Sequence, residues 1–337
     1  MIHRPLQLLS VAITMLALTG TTACRNDFEE PAPWDLDFEI PRTVDFASSL
    51  SAYQLFDEPM ESLQPAEGVY LYELSSELFS DFAYKQRLVR VPDGMTVVVS
   101  TEGKLQFPEG TVIAKTFYYP ADMRDPAGPK RVIETRLLIL ADGRWNVATY
   151  VWNTEQTDAS LVLEGMTTDV SWLDDGGRRM ATAYVVPHEG ECITCHQSAG
   201  QAVYIGPTLR NLNRNVSRDG YEVNQLEYLV GEGVLEDGNW TSAPSIPAYK
   251  DDNLSLNGRA RAYLDVNCAH CHNPDGWDEA ARPGLDLRFQ TPLNQSGLER
   301  KASDVERQLR TGQMPYLGTT LLHDDGIRLV LDYLETF

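Results

Sequence analysis

Short β-rich stretches alternate with turn signals between about residues 66 and 187. The stretches read MTVVVS (95–100), GTVIAKTF (110–117), RVIETRLLIL (131–140) and RWNVATYVWN (144–153). Their β-branched and aromatic residues favour strands, and pairs such as Asp142 and Gly143 between them favour turns. The pattern predicts an antiparallel sandwich or a barrel-like sheet.

Aromatic side chains are concentrated in the last of these stretches. Trp145 and Trp152 are an odd number of positions apart, so on one regular strand they face opposite sides, whereas Tyr150 and Trp152 share a face. We interpret the group as packing within the sheet. A platform that stacks on sugar rings is the alternative.

After Pro187 the pattern becomes helical and loop-like. Residues 224–230 (NQLEYLV) predict a helix that ends at Gly231. Further on, a helix is expected to lead up to Cys268, a loop carries Met314, and a terminal helix is expected to begin near His323. The chain therefore changes character between its first and second halves.

The N-terminus resembles an export signal. Arg4 precedes an apolar run from Leu6 to Leu18 that is too short to span a membrane, which predicts a signal peptide over residues 1–23. The residues TTAC (21–24) resemble a bacterial lipoprotein box, so Cys24 is the predicted lipidation site. Ordinary signal-peptidase cleavage before Cys24 is the alternative. Residues 24–65 are acidic and lack sustained periodicity, which predicts a tether.

Two short motifs carry the candidate chemistry: CITCH at residues 192–196 and CAHCH at residues 268–272. A Cys-x-x-Cys-His sequence is the attachment signature of c-type haem. Its spacing places both thiols and the imidazole on one side of a helical turn, where the thiols can add to the haem vinyl groups while the imidazole reaches the iron. A redox dithiol, a disulfide or half of a zinc site could each explain a single copy.

Two such motifs predict two covalently bound haem c groups, attached at Cys192 and Cys195 and at Cys268 and Cys271. The predicted fold class is α+β and multidomain, with an antiparallel β-rich N-terminal domain followed by an all-α cytochrome c-like dihaem region. The predicted divisions are the signal peptide (1–23), the tether (24–65), the β-rich domain (66–187), a first haem segment (188–253) and a cytochrome c-like second haem domain (254–337).

The motifs also predict iron ligands. His196 and His272 are the expected proximal ligands, and Met314, in the loop before the terminal helix, is the expected distal ligand of the second haem. A core methionine that fills a gap is the alternative for Met314. The distal ligand of the first haem stays open, with these candidates: Met166, Met180, His188 and His323.

Net charge limits the classes of binding partner that we expect, and the cysteine count shows which cysteines the motifs leave over. The 337 residues include 28 Lys plus Arg and 49 Asp plus Glu, a formal net charge of −21. Repulsion from phosphates makes nucleic acid an unexpected partner, while a basic docking patch on a redox protein is favoured. Of five cysteines, four belong to the motifs, and only Cys24 is left over.

The chain resembles a family of exported bacterial dihaem c-type cytochromes with a β-rich N-terminal domain. The matching pieces are LFSDFAYKQRLVRVP from residue 78, GTVIAKTF from 110, ETRLLIL from 134, WNTEQTDA from 152, ECITCH from 191, NQL from 224, RARAYLDVNCAHCH from 259 and MPYLG from 314. The resemblance implies periplasmic or lipid-anchored electron transfer, and genes of this family often lie beside one for a parallel β-helix protein, which is a possible partner. It names no substrate.

The sequence is compatible with three alternative functions. The first is an electron carrier in the periplasm or at the outer-membrane surface, which is not a catalyst. The second is a peroxidase-like haem enzyme whose first haem has an open iron site. The third is a redox-linked binding or sensor module that uses the β-rich domain.

Overall fold

The computed structural model describes residues 43–337, which belong to one compact unit. The predicted signal peptide, the lipidation site Cys24 and the first part of the predicted tether lie outside the described residues. Within the described part of the chain, no helix combines the length and apolar character that a membrane crossing requires. The boundaries predicted after residues 187 and 253 stay predictions.

The strands and helices are numbered along the chain. The strands are β1 (Tyr70–Leu71), β2 (Tyr84–Arg90), β3 (Val98–Val99), β4 (Leu105–Gln106), β5 (Val112–Pro120), β6 (Lys130–Ala141), β7 (Arg144–Trp152), β8 (Ala159–Val162), β9 (Met166–Leu173), β10 (Arg179–Val186), β11 (Gln197–Ser198), β12 (Gln201–Ala202), β13 (Asn215–Arg218) and β14 (Tyr221–Asn224). The α-helices are α1 (Glu189–Cys195), α2 (Leu209–Leu212), α3 (Gln225–Gly231), α4 (Leu256–Asn267), α5 (Asp278–Ala281), α6 (Leu293–Ser296), α7 (Leu298–Arg310) and α8 (Asp324–Leu334). Short 3-10 helices span Leu50–Tyr53, Met60–Ser62 and Trp240–Ser242.

An antiparallel six-stranded sheet is the largest element, with the strand order β1-β2-β5-β6-β7-β8. The turn between β6 and β7 consists of Asp142 and Gly143, whose φ angles are 51° and 68°. Positive φ at both positions matches a two-residue hairpin turn, which explains why this pair is found there. The strands predicted at residues 110–117, 131–140 and 144–153 are present, with ends that differ by at most three residues.

The two faces of the sheet bury different apolar clusters, because successive side chains of a strand point to opposite sides. Leu88 and Leu137 lie on the face that packs against the segment 46–71. Ile113 and Leu138 lie on the other face and pack against α1, α2 and α3. This second face therefore supports the segment that carries the first Cys-x-x-Cys-His motif.

The aromatic group of β7 is divided between these faces, as predicted. Trp152 is 6% exposed and its indole N–H donates to the Thr135 hydroxyl at 3.0 Å. Trp145 packs on the opposite face against Phe107 and Tyr204. A buried indole cannot stack on a sugar, so Trp152 is a packing residue.

The prediction of an all-α cytochrome c-like haem region is wrong. Strand and helix account for 27% and 24% of the residues that the structure describes, so strands are at least as common as helices there. They continue past residue 188, where β11 pairs with β12 and β13 pairs with β14, both antiparallel. Most helices of this region have seven residues or fewer.

Two hairpins that were not predicted account for the difference. Ala199 and Gly200 have φ angles of 49° and 76°, and Asp219 and Gly220 have φ angles of 51° and 82°. Asp-Gly is a strong hairpin signal when alternating apolar residues flank it, but the strands beside this pair have four residues each and are mostly polar. The neighbouring helix α3, which was predicted over residues 224–230, is present.

The C-terminal segment is helical but is held to the β-rich part of the unit. Helix α4 packs against α8 through an apolar core. The carboxylate of Asp81, which is 3% exposed, accepts hydrogen bonds from the backbone N–H groups of Thr320 and Leu321 at 2.9 Å. The Phe79 N–H donates to Asn267 at the end of α4 at 2.8 Å. These long-range bonds make the segment part of a mixed architecture and not a free-standing all-α module.

Candidate haem-attachment site

Helix α1 presents the first motif. It begins at a capping box, in which the His188 imidazole accepts from the Gly190 N–H at 3.2 Å and the Glu191 carboxylate accepts from the His188 N–H at 3.0 Å. From this fixed start, Cys192 falls on the side of the helix that faces the sheet. The residue is 6% exposed, and its thiol lies beside the Thr149 side chain of β7.

His196 follows α1 directly, and its ring is oriented by the hairpin that comes next. The strands β11 and β12 turn the chain back so that the Val203 carbonyl accepts a hydrogen bond from His196 Nδ1 at 2.9 Å. The Val203 N–H donates in turn to the His196 carbonyl at 3.0 Å. With its proton on Nδ1, the imidazole offers the Nε2 lone pair to a metal.

The second motif repeats this arrangement at the end of α4. The His272 N–H donates to the Cys268 carbonyl at 2.8 Å, which closes a turn around the two cysteines. His272 Nδ1 donates to the Ala280 carbonyl at 2.8 Å. Both candidate proximal histidines are thus held in the same tautomer by a backbone carbonyl seven or eight residues downstream.

The two motifs lie side by side. The ligand atoms of Cys195, His270 and Cys271 are all within 4.8 Å of one another. The Ala199 N–H at the tip of the first hairpin donates to the Asp275 carbonyl beyond the second motif at 3.0 Å. Contact between the motifs is therefore made by side chains and by the backbone.

Burial favours the neutral forms of two of the thiols and of both motif histidines. It raises the pKa of the Cys192 thiol to about 11 and that of Cys268 to about 12. Burial also lowers the pKa of His196 to about 3 and depresses that of His272. At neutral pH the imidazoles are therefore uncharged, which is the form that ligates iron.

Cys195 and Cys271 influence each other through a shared hydrogen bond. This bond, followed by burial, raises the pKa of Cys195, while the same bond lowers the pKa of Cys271. Cys271 is therefore the thiol of the pair that ionises first. The other two thiols, with raised pKa values, lack the thiolate character that a redox dithiol needs.

A tetrahedral metal ion is the alternative occupant that the geometry suggests. Cys195, His270 and Cys271 supply two thiols and an imidazole, and His270 Nδ1 is buried without a hydrogen-bond partner. This set takes one cysteine from the first motif and leaves Cys192 and Cys268 unused. The haem reading uses all four cysteines, which are free thiols, together with both oriented histidines.

The predicted distal ligand Met314 lies between α7 and α8 and is half-buried. Its N–H is bonded to the Gln308 carbonyl at 3.3 Å, so the last turn of α7 positions its backbone. Ligation of iron by Met314 stays a prediction.

The four candidates for the first distal ligand are occupied elsewhere or lie at the surface. His188 caps α1, and His323 stacks on Phe79 with ring centroids 4.3 Å apart. Met166 is 42% exposed, and Met180 packs against the cluster around the β9–β10 hairpin. These positions therefore identify none of the four residues as the distal ligand of the first haem.

The residues that orient the histidines could not be found from the sequence. Val203 and Ala280 act through their backbone carbonyls, so their side chains give no signal. The contact between Cys195 and Cys271 is also invisible in the sequence, since it depends on how two distant segments pack. The motifs themselves were the only signal available.

Comparison with known proteins adds nothing to this assignment, because no protein-family model, no curated protein and no solved structure matches the chain.

Proposed function

We propose that this protein is an exported electron carrier with two haem c groups, one attached at Cys192 and Cys195 and the other at Cys268 and Cys271. The observation that supports the proposal is the paired geometry of the motifs: each imidazole is fixed by a backbone carbonyl, and the thiols of Cys195 and Cys271 adjoin. A zinc site or a disulfide would not require two histidines oriented in the same way.

The chain's own residues explain how such a carrier would work. Haem supplies one-electron chemistry at its iron when it is bound. His196 and His272 present Nε2 as a neutral ligand, and their bonds to backbone carbonyls raise its basicity. The contact between Cys195 and Cys271 joins the two attachment sites, so electrons would have a short route from one to the other.

The partners belong to the same proposal. A strongly acidic chain favours a redox protein with a basic docking patch. A lipid anchor at Cys24 would hold the carrier at a bacterial membrane, facing the periplasm. A β-helix protein as a partner is suggested by the resemblance described above.

A reductive titration of the purified, exported protein tests the carrier function. The wild type should accept two electrons at its haems. A carrier needs no open iron, so carbon monoxide should leave the reduced spectrum unchanged, which would imply a distal ligand on the first iron that is still unassigned. The double variants Cys192→Ala/Cys195→Ala and Cys268→Ala/Cys271→Ala should each accept one. Cys24→Ala is the matched control, because it removes a cysteine outside both motifs and should leave the titration unchanged.

A haem enzyme is the second candidate function. The observation in its favour is that the four expected candidates for the first distal ligand are placed elsewhere. An open iron would bind carbon monoxide or peroxide. A carbon monoxide response from one haem equivalent, lost in Cys192→Ala/Cys195→Ala, would replace the carrier function with this one.

A further inference from the structure

Three cations lie directly opposite one another on adjacent strands of the large sheet. Arg87 on β2 pairs with Lys115 on β5, and Lys115 pairs with Arg136 on β6. Like charges in directly opposed positions destabilise a sheet. We name these three residues the cation row.

The cation row lies on the same face as the first motif. Arg136 is paired in register with Thr149 on β7, and Thr149 lies beside the Cys192 thiol. The next register positions on this face, Ile113 and Leu138, belong to the apolar cluster that contains Cys192. The row therefore borders the place where the first haem would be attached.

Within residues 43–337, too few carboxylates lie beside the cation row to neutralise this part of the sheet. Glu134 is fully buried and accepts from Arg136 Nε at 3.0 Å and from the Tyr184 hydroxyl at 2.6 Å. Glu77 pairs with one Arg87 nitrogen, Nη1, at 3.2 Å. Both carboxylates are therefore already engaged by the two arginines.

Two residues of the cation row lack a full set of partners. Arg87 is 4% exposed, and its Nη2 is buried without a hydrogen-bond partner. Lys115 is half-buried, with its ammonium 4.9 Å from the centroid of the Phe117 ring, and it pairs with no carboxylate within residues 43–337. A buried guanidinium nitrogen without a partner, as in Arg87, is costly, and it is all the less expected in a chain whose net charge is −21.

Burial and the neighbouring cations disfavour the charged form of Lys115. The pKa of Lys115 is held well below its ordinary value, first by burial and then by Arg87, Lys85 and Arg136. An anion placed against the row would reverse this effect and satisfy Arg87 Nη2. The groups of haem that could do so are its two propionate carboxylates.

We propose that Arg87 and Lys115, supported by Arg136, bind the propionate carboxylates of the haem attached at Cys192 and Cys195. The inference rests on the proposed function, since it requires a haem at the first motif. It gives the β-rich part of the unit a role, because the cation row of the sheet would line one side of the first haem site.

The test compares Lys115→Gln with Lys115→Arg and with a control, Lys104→Gln, which removes the same charge from an exposed turn. Haem content is measured first, and then both reduction potentials are measured as a function of pH. A cation beside a propionate favours the reduced iron and keeps the carboxylate ionised. Lys115→Gln should therefore lower one of the two potentials and make it pH-dependent near neutrality, while Lys115→Arg and Lys104→Gln should match the wild type.

Several results would overturn the inference without touching the proposed function. With two haems bound, unchanged potentials and pH profiles in both Lys115→Gln and Arg87→Gln would show that the row does not contact a propionate. Loss of the low-spin visible spectrum in Lys115→Gln would show that the amine ligates iron instead. A wild-type potential that shifts on adding inorganic phosphate, and does not shift in Lys115→Gln, would show that the row takes a free anion. If the wild type contains no haem, the proposed function itself fails at the first step.

Discussion

Single residues determine whether each motif can hold a metal in a defined way. His196 and His272 were identified from the sequence because they adjoin a cysteine pair, but the carbonyls of Val203 and Ala280 that orient them were not. The difference is physical. A motif is defined by the types of its side chains, whereas the orientation of a histidine ring depends on where the backbone returns after a hairpin or a loop.

Met314 gives the first prediction at this scale. Replacing it with alanine should lower the reduction potential of one haem by on the order of 0.1 V, a fraction of the roughly 0.8 V range that axial ligands set, and leave the other nearly unchanged. A spectroscopic redox titration measures both values. Met95→Ala is the control, since Met95 is 49% exposed in the β-rich part. If both haems of Met314→Ala titrate as in the wild type, Met314 is a packing residue.

His323 gives the second prediction at this scale. Its ring lies among Phe79, Phe82, Tyr249 and Tyr263, and burial lowers its pKa to about 4, with further lowering by nearby lysines and an opposing effect from nearby aspartates. In the unfolded chain the pKa is about 6.5. The unfolded state therefore binds more protons between these values, so stability should fall as the pH drops from 6.5 to 4.

The contribution is about 1 to 2 kcal/mol after allowance for the partial exposure of the ring. Urea denaturation of the wild type and His323→Phe at several pH values measures it. The phenylalanine variant keeps an aromatic ring at this position and should lose less stability on acidification. Equal losses in the two proteins would show that His323 does not titrate between folded and unfolded states.

Secondary structure elements were predicted most reliably where they are long. The sheet strands β5, β6 and β7 have nine to twelve residues, enough for the strand pattern to be read. The hairpins β11–β12 and β13–β14 have strands of two to four residues and were missed. The turn residues of these hairpins can be recognised in the sequence. Strands of two to four residues, however, are too short to show an alternation of apolar and polar positions, and they are stabilised by packing and not by local preference.

Asp81 links two of these elements and gives the third prediction. Its carboxylate accepts bonds from Thr320 and Leu321, in the segment between Met314 and α8. Asp81→Asn should lower the free energy of unfolding by about 2 kcal/mol, because an amide cannot accept all these bonds and hydrogen bonds to a charged group are worth about 1.5 to 3 kcal/mol.

Chemical denaturation of Asp81→Asn beside Asp332→Asn measures the effect, since Asp332 is an exposed carboxylate on α8. The control should lie within about 0.5 kcal/mol of the wild type, as is usual for surface changes. Equal stabilities of the two variants would show that the contacts of Asp81 do not hold the C-terminal segment.

At the scale of the whole molecule, the described residues form one compact unit in which both motifs meet. The sequence indicated two haem sites but placed them in separate segments, because it contains no signal for the contact between Cys195 and Cys271. The same limit applies to the cation row: its members are far apart in the sequence and are aligned only by strand register.

The net charge of −21 gives the fourth prediction. Electron transfer to a small basic redox protein should slow about tenfold or more between low and high salt, because screening removes the attraction that steers the two proteins together. Stopped-flow measurement over a range of ionic strength tests this, with an acidic redox protein of similar potential as the control. A rate to the basic protein that does not depend on salt would contradict docking by charge.

The most direct test of the whole account is the mass of the intact protein after export in a host that attaches haem. The account predicts a mass equal to that of the mature polypeptide, with any lipid on Cys24, plus two haem groups that survive denaturation. A chain without covalent haem, with one zinc ion per molecule or with its four motif cysteines in disulfides, would contradict it.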